Sequence, residues 1–268
     1  MKKIARVEDI DIACRGKGKG FPLLMIAGFG TTKEIWEQRV IDHLAERFRV
    51  IVFDNRGMGD TSAGEKEFTI RQFAGDASGL MGALGIERAH VLGWSMGSMI
   101  AQELALSFPE KVGKLILYAS YADWSFPPSE DVIEKLSDQS GTSEERGMRW
   151  VETLFPPDWL ENNGERVQEI FSRPLGKISG DSLARQQKAI ELWRGTAERL
   201  GGLKARTLLL CGDEDVLVPP GNSEKMNKLI PGSKLQVVKG AGHGLMFQEP
   251  DDFISKVRTF LESEPERS

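Results

Sequence analysis

The chain of 268 residues carries 35 lysines and arginines against 40 aspartates and glutamates, for a net charge of -5, with 40% hydrophobic residues. That length supports one large domain, or one domain with an insertion, around a substantial core. Both signs of charge are mixed along the sequence, which excludes a nucleic-acid stripe or a polybasic membrane anchor, and no stretch has the length or apolarity of a leader or membrane span, so a cytoplasmic protein is expected.

"KKIARV" and "IDIACRG" read as two short strands around a turn, followed by the flexible link "GKGKG". "PLLMIAG" is a continuous apolar run and "RVIVFD" another, as buried parallel strands are. Between them, "TTKEIWEQRVIDHLAERF" puts Ile35, Val40, Ile41 and Leu44 at helical spacing, which makes a strand, helix, strand crossover. Thr69 is a candidate N-cap for a helix whose apolar face holds Ile70, Phe73, Ala77, Leu80, Met81 and Leu84. "HVLGW" and its helix follow, then the strand "KLILYAS". From Asp123 the strand pattern stops. Helical pieces separated by prolines take its place, one opened by a capping box from Thr142 to Glu145. "ARTLLLCG" and "KLQVVKGAG" then restore the strands, with helices expected at about 221–230 and 249–262 and a fraying tail "SEPERS".

This pattern predicts an α/β fold: a mostly parallel central sheet covered by helices on both faces. The core would comprise 1–122 and 203–268, with 123–202 a helical cap insertion. Cys14 and Cys211, the only cysteines, lie in strand-like runs and read as reduced, packed thiols. The histidines are His43, His90 and His243, and no Cys or His spacing suits a metal, so neither metal nor cofactor is expected.

The junction "GWSMG" gives the chain almost no room to turn from strand to helix. Gly93 and Gly97 remove side chains where strand and helix nearly touch, so Ser95 can take a strained conformation and project its hydroxyl from the sheet edge. The same bend sets Ser95 at a helix N-terminus, beside the amide of Met96, where developing negative charge is favoured. A serine nucleophile needs a base, and "GAGHG" puts His243 in a glycine-rich loop after the last strand. The base needs an orienting acid, and "GDEDVLVPP" puts Asp215 after the preceding strand. Asp213 in the same loop and Asp123 after the strand "KLILYAS" are competing acids.

These motifs, together with "DNRGMGDTS" (Asp54 to Ser62), resemble those of the α/β-hydrolase fold superfamily over nearly the whole chain. The resemblance is to its serine hydrolase branch, in particular enol-lactone hydrolases and small carboxylesterases or arylesterases. It implies Ser95 as nucleophile, His243 as general base and then acid, and Asp215 as the group that fixes the imidazole. The oxyanion hole would be the amides of Met96 and of Phe29, the latter in "AGFG" after the third strand. Relatives commonly carry His-Gly where this chain has Ala27-Gly28, so a polar brace of that loop is expected to be missing. The implied activity is hydrolysis of a small carboxylic ester or lactone through an acyl-enzyme. Relatives with the same residues also cleave carbon–carbon bonds or act as cofactor-free perhydrolases.

Arg56 and Asp54 read as loop-shaping, and His43 and His90 as solvated or structural. The large apolar side chains Trp124, Phe126, Trp150, Phe155, Trp159, Phe171 and Trp193 would mostly pack the insertion itself, a few facing a pocket for an apolar acyl or aryl group. A small-molecule ester or lactone is the expected partner, with no nucleic acid and no membrane; a homo-oligomer is left open. Two readings from other classes compete. "GFGTTKE" with Asp54 superficially copies a dinucleotide site, but Lys33 stands in the third glycine's place. A non-catalytic ligand receptor or scaffold on the same fold would be expected to carry a broken triad, which this chain does not.

Overall fold

The computed structural model describes residues 2–172 and 176–264; most of the tail expected to fray, from position 265 on, lies outside them. Eight strands, β1 (Lys2–Val7), β2 (Ile10–Lys17), β3 (Phe21–Ile26), β4 (Phe48–Phe53), β5 (Ala89–Trp94), β6 (Val112–Tyr118), β7 (Arg206–Gly212) and β8 (Lys234–Val238), form one sheet in the order β1-β2-β4-β3-β5-β6-β7-β8. β1 and β2 pair antiparallel, β2 joins β4 antiparallel, and every other pairing is parallel.

The helices follow from that order. α1 (Gln38–Ala45) links β3 to β4, running one way across the sheet, whereas α2 (Ile70–Ala83) and α3 (Met96–Ser107) link β4 to β5 and β5 to β6, running the other way. Right-handed crossovers therefore put α1 on one face and α2 and α3 on the opposite one. The packing agrees: α2 contacts α3, and α1 contacts the last helix, α11 (Pro250–Glu262). The reversal occurs at β3, between β4 and β5, and opens a crevice beyond the carboxyl ends of β3 and β5. Two sequence motifs meet there, "AGFG" after β3 and "GWSMG" at the end of β5.

Between β6 and β7 the described residues form no further strand. They hold α4 (Glu130–Ser137), α5 (Ser143–Leu154), α6 (Pro157–Asn162), α7 (Gly164–Phe171) and α8 (Gly180–Glu191). Thr142 and Glu145 form the expected capping box at the start of α5. The segment is tied to the sheet domain at several points. Trp193 Nε1 and Arg199 Nη1 donate to the buried Glu103 of α3 at 3.1 and 3.0 Å, and Arg166 of α7 pairs with the buried Glu37. α9 (Gly221–Leu229) packs on β7 and β8, and a short α10 (Leu245–Gln248) that the sequence did not announce follows His243 directly.

One expected helix is cut short. In 31–48 only α1 is α-helical, preceded by a single 3-10 turn at Lys33–Ile35, and Trp36 is extended. The cause is Lys33: its N–H and its ammonium donate to the two oxygens of the fully buried Asp54 at 2.7 and 2.8 Å. That attachment holds the segment as a loop. It also satisfies the carboxylate that a dinucleotide reading would have assigned to a ribose.

Arg56 is buried with both forks of its guanidinium used, on Asp76 and on Asp9, and shapes the loop as expected. Asp9 is held well below the usual carboxylate range, chiefly by that Arg56 hydrogen bond. Cys14 and Cys211 are free and buried, and burial pushes the Cys211 thiol up to about 11.

Candidate active site

The strand-to-helix bend is as tight as its glycines suggest. A Cβ on Gly93 would lie 2.2 Å from the carbonyl oxygen of Gly97, and one on Gly97 would lie 2.1 Å from that of Ile26. Ser95 between them has φ 56° and ψ -123°, a conformation that L-residues rarely adopt. It is held there by its N–H, which donates to Tyr118 O at 3.0 Å, and by its own carbonyl, which accepts from Ser98 N at 2.8 Å.

His243 reaches the same end of the sheet from the loop after β8. Its carbonyl accepts from the Tyr118 hydroxyl at 2.5 Å and from Trp94 Nε1 at 3.3 Å. Burial holds the Tyr118 phenol well above its usual pKa, so it stays a neutral donor. The flanking glycines are occupied too: Gly242 N donates to Gln248 Oε1 at 2.7 Å and Gly244 N to Leu154 O, at the end of α5, at 2.8 Å. The Trp94 ring lies 5.5 Å from the imidazole, centroid to centroid.

Asp215 Oδ2 is 2.9 Å from His243 Nδ1, and its Oδ1 accepts from Leu217 N and Val218 N at 2.9 and 2.8 Å. The competing acids are engaged elsewhere, Asp213 with the Gly240 N–H and Asp123 with the Lys225 ammonium. His43 on α1 contacts Arg39 O and takes no part in this cluster. His90 sits in β5, accepts from Lys114 N at 3.0 Å and packs against the rings of Phe21 and Phe48.

The loop after β3 lies directly against the bend, since a Cβ on Gly28 would meet Ser95 Cβ at 3.3 Å. The N–H groups of Phe29 and Met96 make no hydrogen bond to another described residue. The missing polar brace is supplied by other residues. Asn55 Nδ2 donates to Ala27 O at 3.2 Å, Thr31 Oγ1 to Gly28 O at 2.9 Å, and Gly30 N to Gln186 Oε1 at 3.0 Å. Asn55 lies within "DNRG" but nothing in its local spacing marked it as a brace. Gln186 had no sequence signal.

Ser95 and His243 both line a cavity of about 270 Å³. Its apolar walls come from Phe29, Ile35, Trp94 and Leu217 of the sheet domain and from Trp150, Leu154, Phe171 and Leu183 of the 123–202 segment. Among the described residues no Lys, Arg, Asp or Glu lines it; Thr31 is the remaining polar side chain. Phe155 and Trp159, by contrast, stack on each other at 4.6 Å, and Trp124 Nε1 donates to Trp193 O, so these aromatics serve the packing of the segment. No group of three or more His, Cys, Asp or Glu among the described residues could hold a metal ion, and no helix among them is long and apolar enough to cross a membrane.

A family model described as alpha/beta hydrolase fold matches residues 22–250. The chain belongs to the α/β hydrolase fold family. It is 29% identical over 248 residues to a protein of Azorhizobium caulinodans that carries the name carbamate hydrolase RutD, spanning 91% of this chain and 92% of that one. The crystal structure of a hydrolase from Pseudomonas aeruginosa PA01 superimposes with a TM-score of 0.84 at 25% identity, covering 98% of both chains. The enol-lactonase of Burkholderia xenovorans LB400 shares the fold, with a TM-score of 0.82 at 22% identity over 97% of this chain and 100% of its own.

Proposed function

We propose that the protein is a serine hydrolase that cleaves small, uncharged carboxylic esters or lactones through an acyl-enzyme. Ser95 Oγ attacks the carbonyl carbon while His243 Nε2 takes the hydroxyl proton, and the oxyanion is received by the N–H groups of Phe29 and Met96. The carbon–oxygen bond to the leaving group then breaks, and His243 hands its proton to the departing oxygen. Water adds to the acyl carbon by the same proton transfers and frees the acid and Ser95. Asp215 holds the imidazole in the tautomer with its proton on Nδ1 and stabilises the imidazolium. Residues 123–202 act as a cap that closes the cavity over the core formed by 1–122 and 203–268.

One observation carries this reading: Asp215 occupies His243 Nδ1, which leaves Nε2 as the ring nitrogen available in a cavity shared with a conformationally strained serine. The apolar lining supports an uncharged acyl or aryl group, because an anionic substrate would meet no cationic side chain there among the described residues. The name of the Azorhizobium relative, carbamate hydrolase, adds carbamates to the carbonyl compounds worth testing.

Fluorophosphonate labelling read by intact mass tests the proposal. The wild type should gain one adduct, located on Ser95, and Ser95→Ala should gain none. An unlabelled wild type would support a non-catalytic binder instead. A panel of aryl esters, lactones, carbamic esters and vinylogous diketones then ranks the bond cleaved; fastest turnover of the diketones would favour carbon–carbon hydrolysis.

A further inference from the structure

Gln186, on α8, is fully buried, and its Oε1 accepts the N–H of Gly30 at 3.0 Å. A backbone N–H can only donate, so the amide has one workable orientation, with Oε1 toward Gly30 and Nε2 away from it. On that far side Nε2 has no hydrogen-bond partner among the described residues. An unpaired buried donor opposes stability, and methionine would fill a similar volume without that penalty. What a glutamine offers here that methionine cannot is the acceptor for Gly30.

Gly30 is where the loop after β3 turns left-handed, with φ 62°, and a side chain added there would come within 3.0 Å of Leu183 Cδ1 on the same helix α8. The preceding residue is Phe29. Its N–H belongs to the peptide plane that contains the Gly28 carbonyl, and that carbonyl is held by Thr31 Oγ1 at 2.9 Å. The next plane contains the Gly30 N–H, and Gln186 holds it. With both planes anchored, turning the Phe29 N–H costs one of these hydrogen bonds.

We infer that Gln186 is a positioning residue for the oxyanion hole, acting through the Phe29–Gly30 peptide plane and so linking α8 to the chemistry at Ser95. The inference rests on the acyl-transfer reading above. An oxyanion exists only in the tetrahedral state, so losing this anchor lowers kcat and leaves substrate binding nearly intact.

The test compares Gln186→Met with wild type on a p-nitrophenyl ester, with kcat expressed per site titrated by fluorophosphonate. Expected are a kcat reduced roughly tenfold, a KM within about twofold, and inhibition by a trifluoromethyl ketone, which forms an oxyanion adduct on the serine, weakened by a factor similar to that in kcat. Gln186→Glu keeps a carboxyl oxygen for Gly30 and should restore kcat to within about threefold of wild type. An unchanged kcat per site, or a rise in KM alone with the ketone unaffected, would reduce Gln186 to packing. If Gln186→Met does not fold, Gln186→Asn, which withdraws the acceptor by one carbon, is compared with Gln186→Glu; equal kcat values overturn the inference. Ser95→Ala is measured alongside. Hydrolysis surviving in Ser95→Ala would sink the acyl-transfer reading itself, whereas an inactive Ser95→Ala beside a fully active Gln186→Met would sink only the role of Gln186.

Discussion

Asp215 holds His243 with one oxygen while two backbone N–H groups hold the other, so the direction of the carboxylate is set by the Leu217–Val218 turn rather than by the imidazole. The buried aspartate is thus anchored by its own loop and presents its other oxygen to the ring.

That arrangement makes Asp215→Asn informative. The amide oxygen would remain on the two N–H groups, which turns the amide nitrogen toward His243 Nδ1 and forces the ring proton onto Nε2. The nitrogen that must take the Ser95 proton would then already carry one. We expect ester kcat to fall by roughly 10⁴ with little change in Tm, read from steady-state kinetics and a thermal melt. A loss under about tenfold would remove Asp215 from the proposed triad.

The strained backbone at Ser95 leads to a second expectation. Glycine accepts φ 56° freely, so Ser95→Gly should relieve strain of about 1–3 kcal/mol, partly offset by the greater freedom of glycine in the unfolded chain. The net expectation is about 1 kcal/mol of added stability by urea denaturation, in a protein with no hydrolytic activity. Ser95→Ala keeps the Cβ and should gain little. A Ser95→Gly variant less stable than Ser95→Ala would show that the bend stores no strain.

The parallel strands were legible because a strand buried on both faces is a continuous apolar run, as in "LLMI" or "LLLC". Ser95, Asp215 and His243 were legible for a related reason: each stands in a short loop just past such a run, where glycine and aspartate mark the turns. The residues that hold the site in shape were not. Tyr118, Asn55 and Gln186 act through contacts to residues distant in the chain, and no local spacing announces a hydroxyl on the His243 carbonyl or an amide on Gly30. The helix expected over 31–48 formed only at Gln38–Ala45, because the attachment of Lys33 to Asp54 overrode its first turns.

Lys33 should accordingly be more important to stability than a lysine usually is. Its ammonium lies against the buried Asp54 and the half-exposed Asp60. Burial alone would lower its pKa, but the hydrogen bond to Asp54 and the two carboxylates outweigh that and raise it. Lys33→Met strands the Asp54 carboxylate in the core, and a loss of about 3–5 kcal/mol in unfolding free energy is expected from denaturant melts. A change under about 1 kcal/mol would mean that the neighbouring N–H groups suffice to hold Asp54.

His90 should give the protein an acid-sensitive step separate from catalysis. Burial, followed by the nearby Lys114 and Arg88, pushes its pKa down to about 4 from 6.5. The neutral ring is needed, since Nδ1 accepts the Lys114 N–H. Between those two values the unfolded chain binds a proton that the folded chain refuses, so stability rises with pH across this window and is lost as pH falls from about 6.5 toward about 4. Asparagine can offer its side-chain oxygen to the same N–H and does not titrate there. His90→Asn should therefore remove roughly 1–2 kcal/mol of the acid-dependent loss of unfolding free energy, allowing for solvent screening of a partly buried ring. The Tm values of the two proteins would converge by several degrees as pH is lowered from 7 to 4.5. Parallel curves for wild type and variant across that range would show that His90 contributes nothing to the acid response.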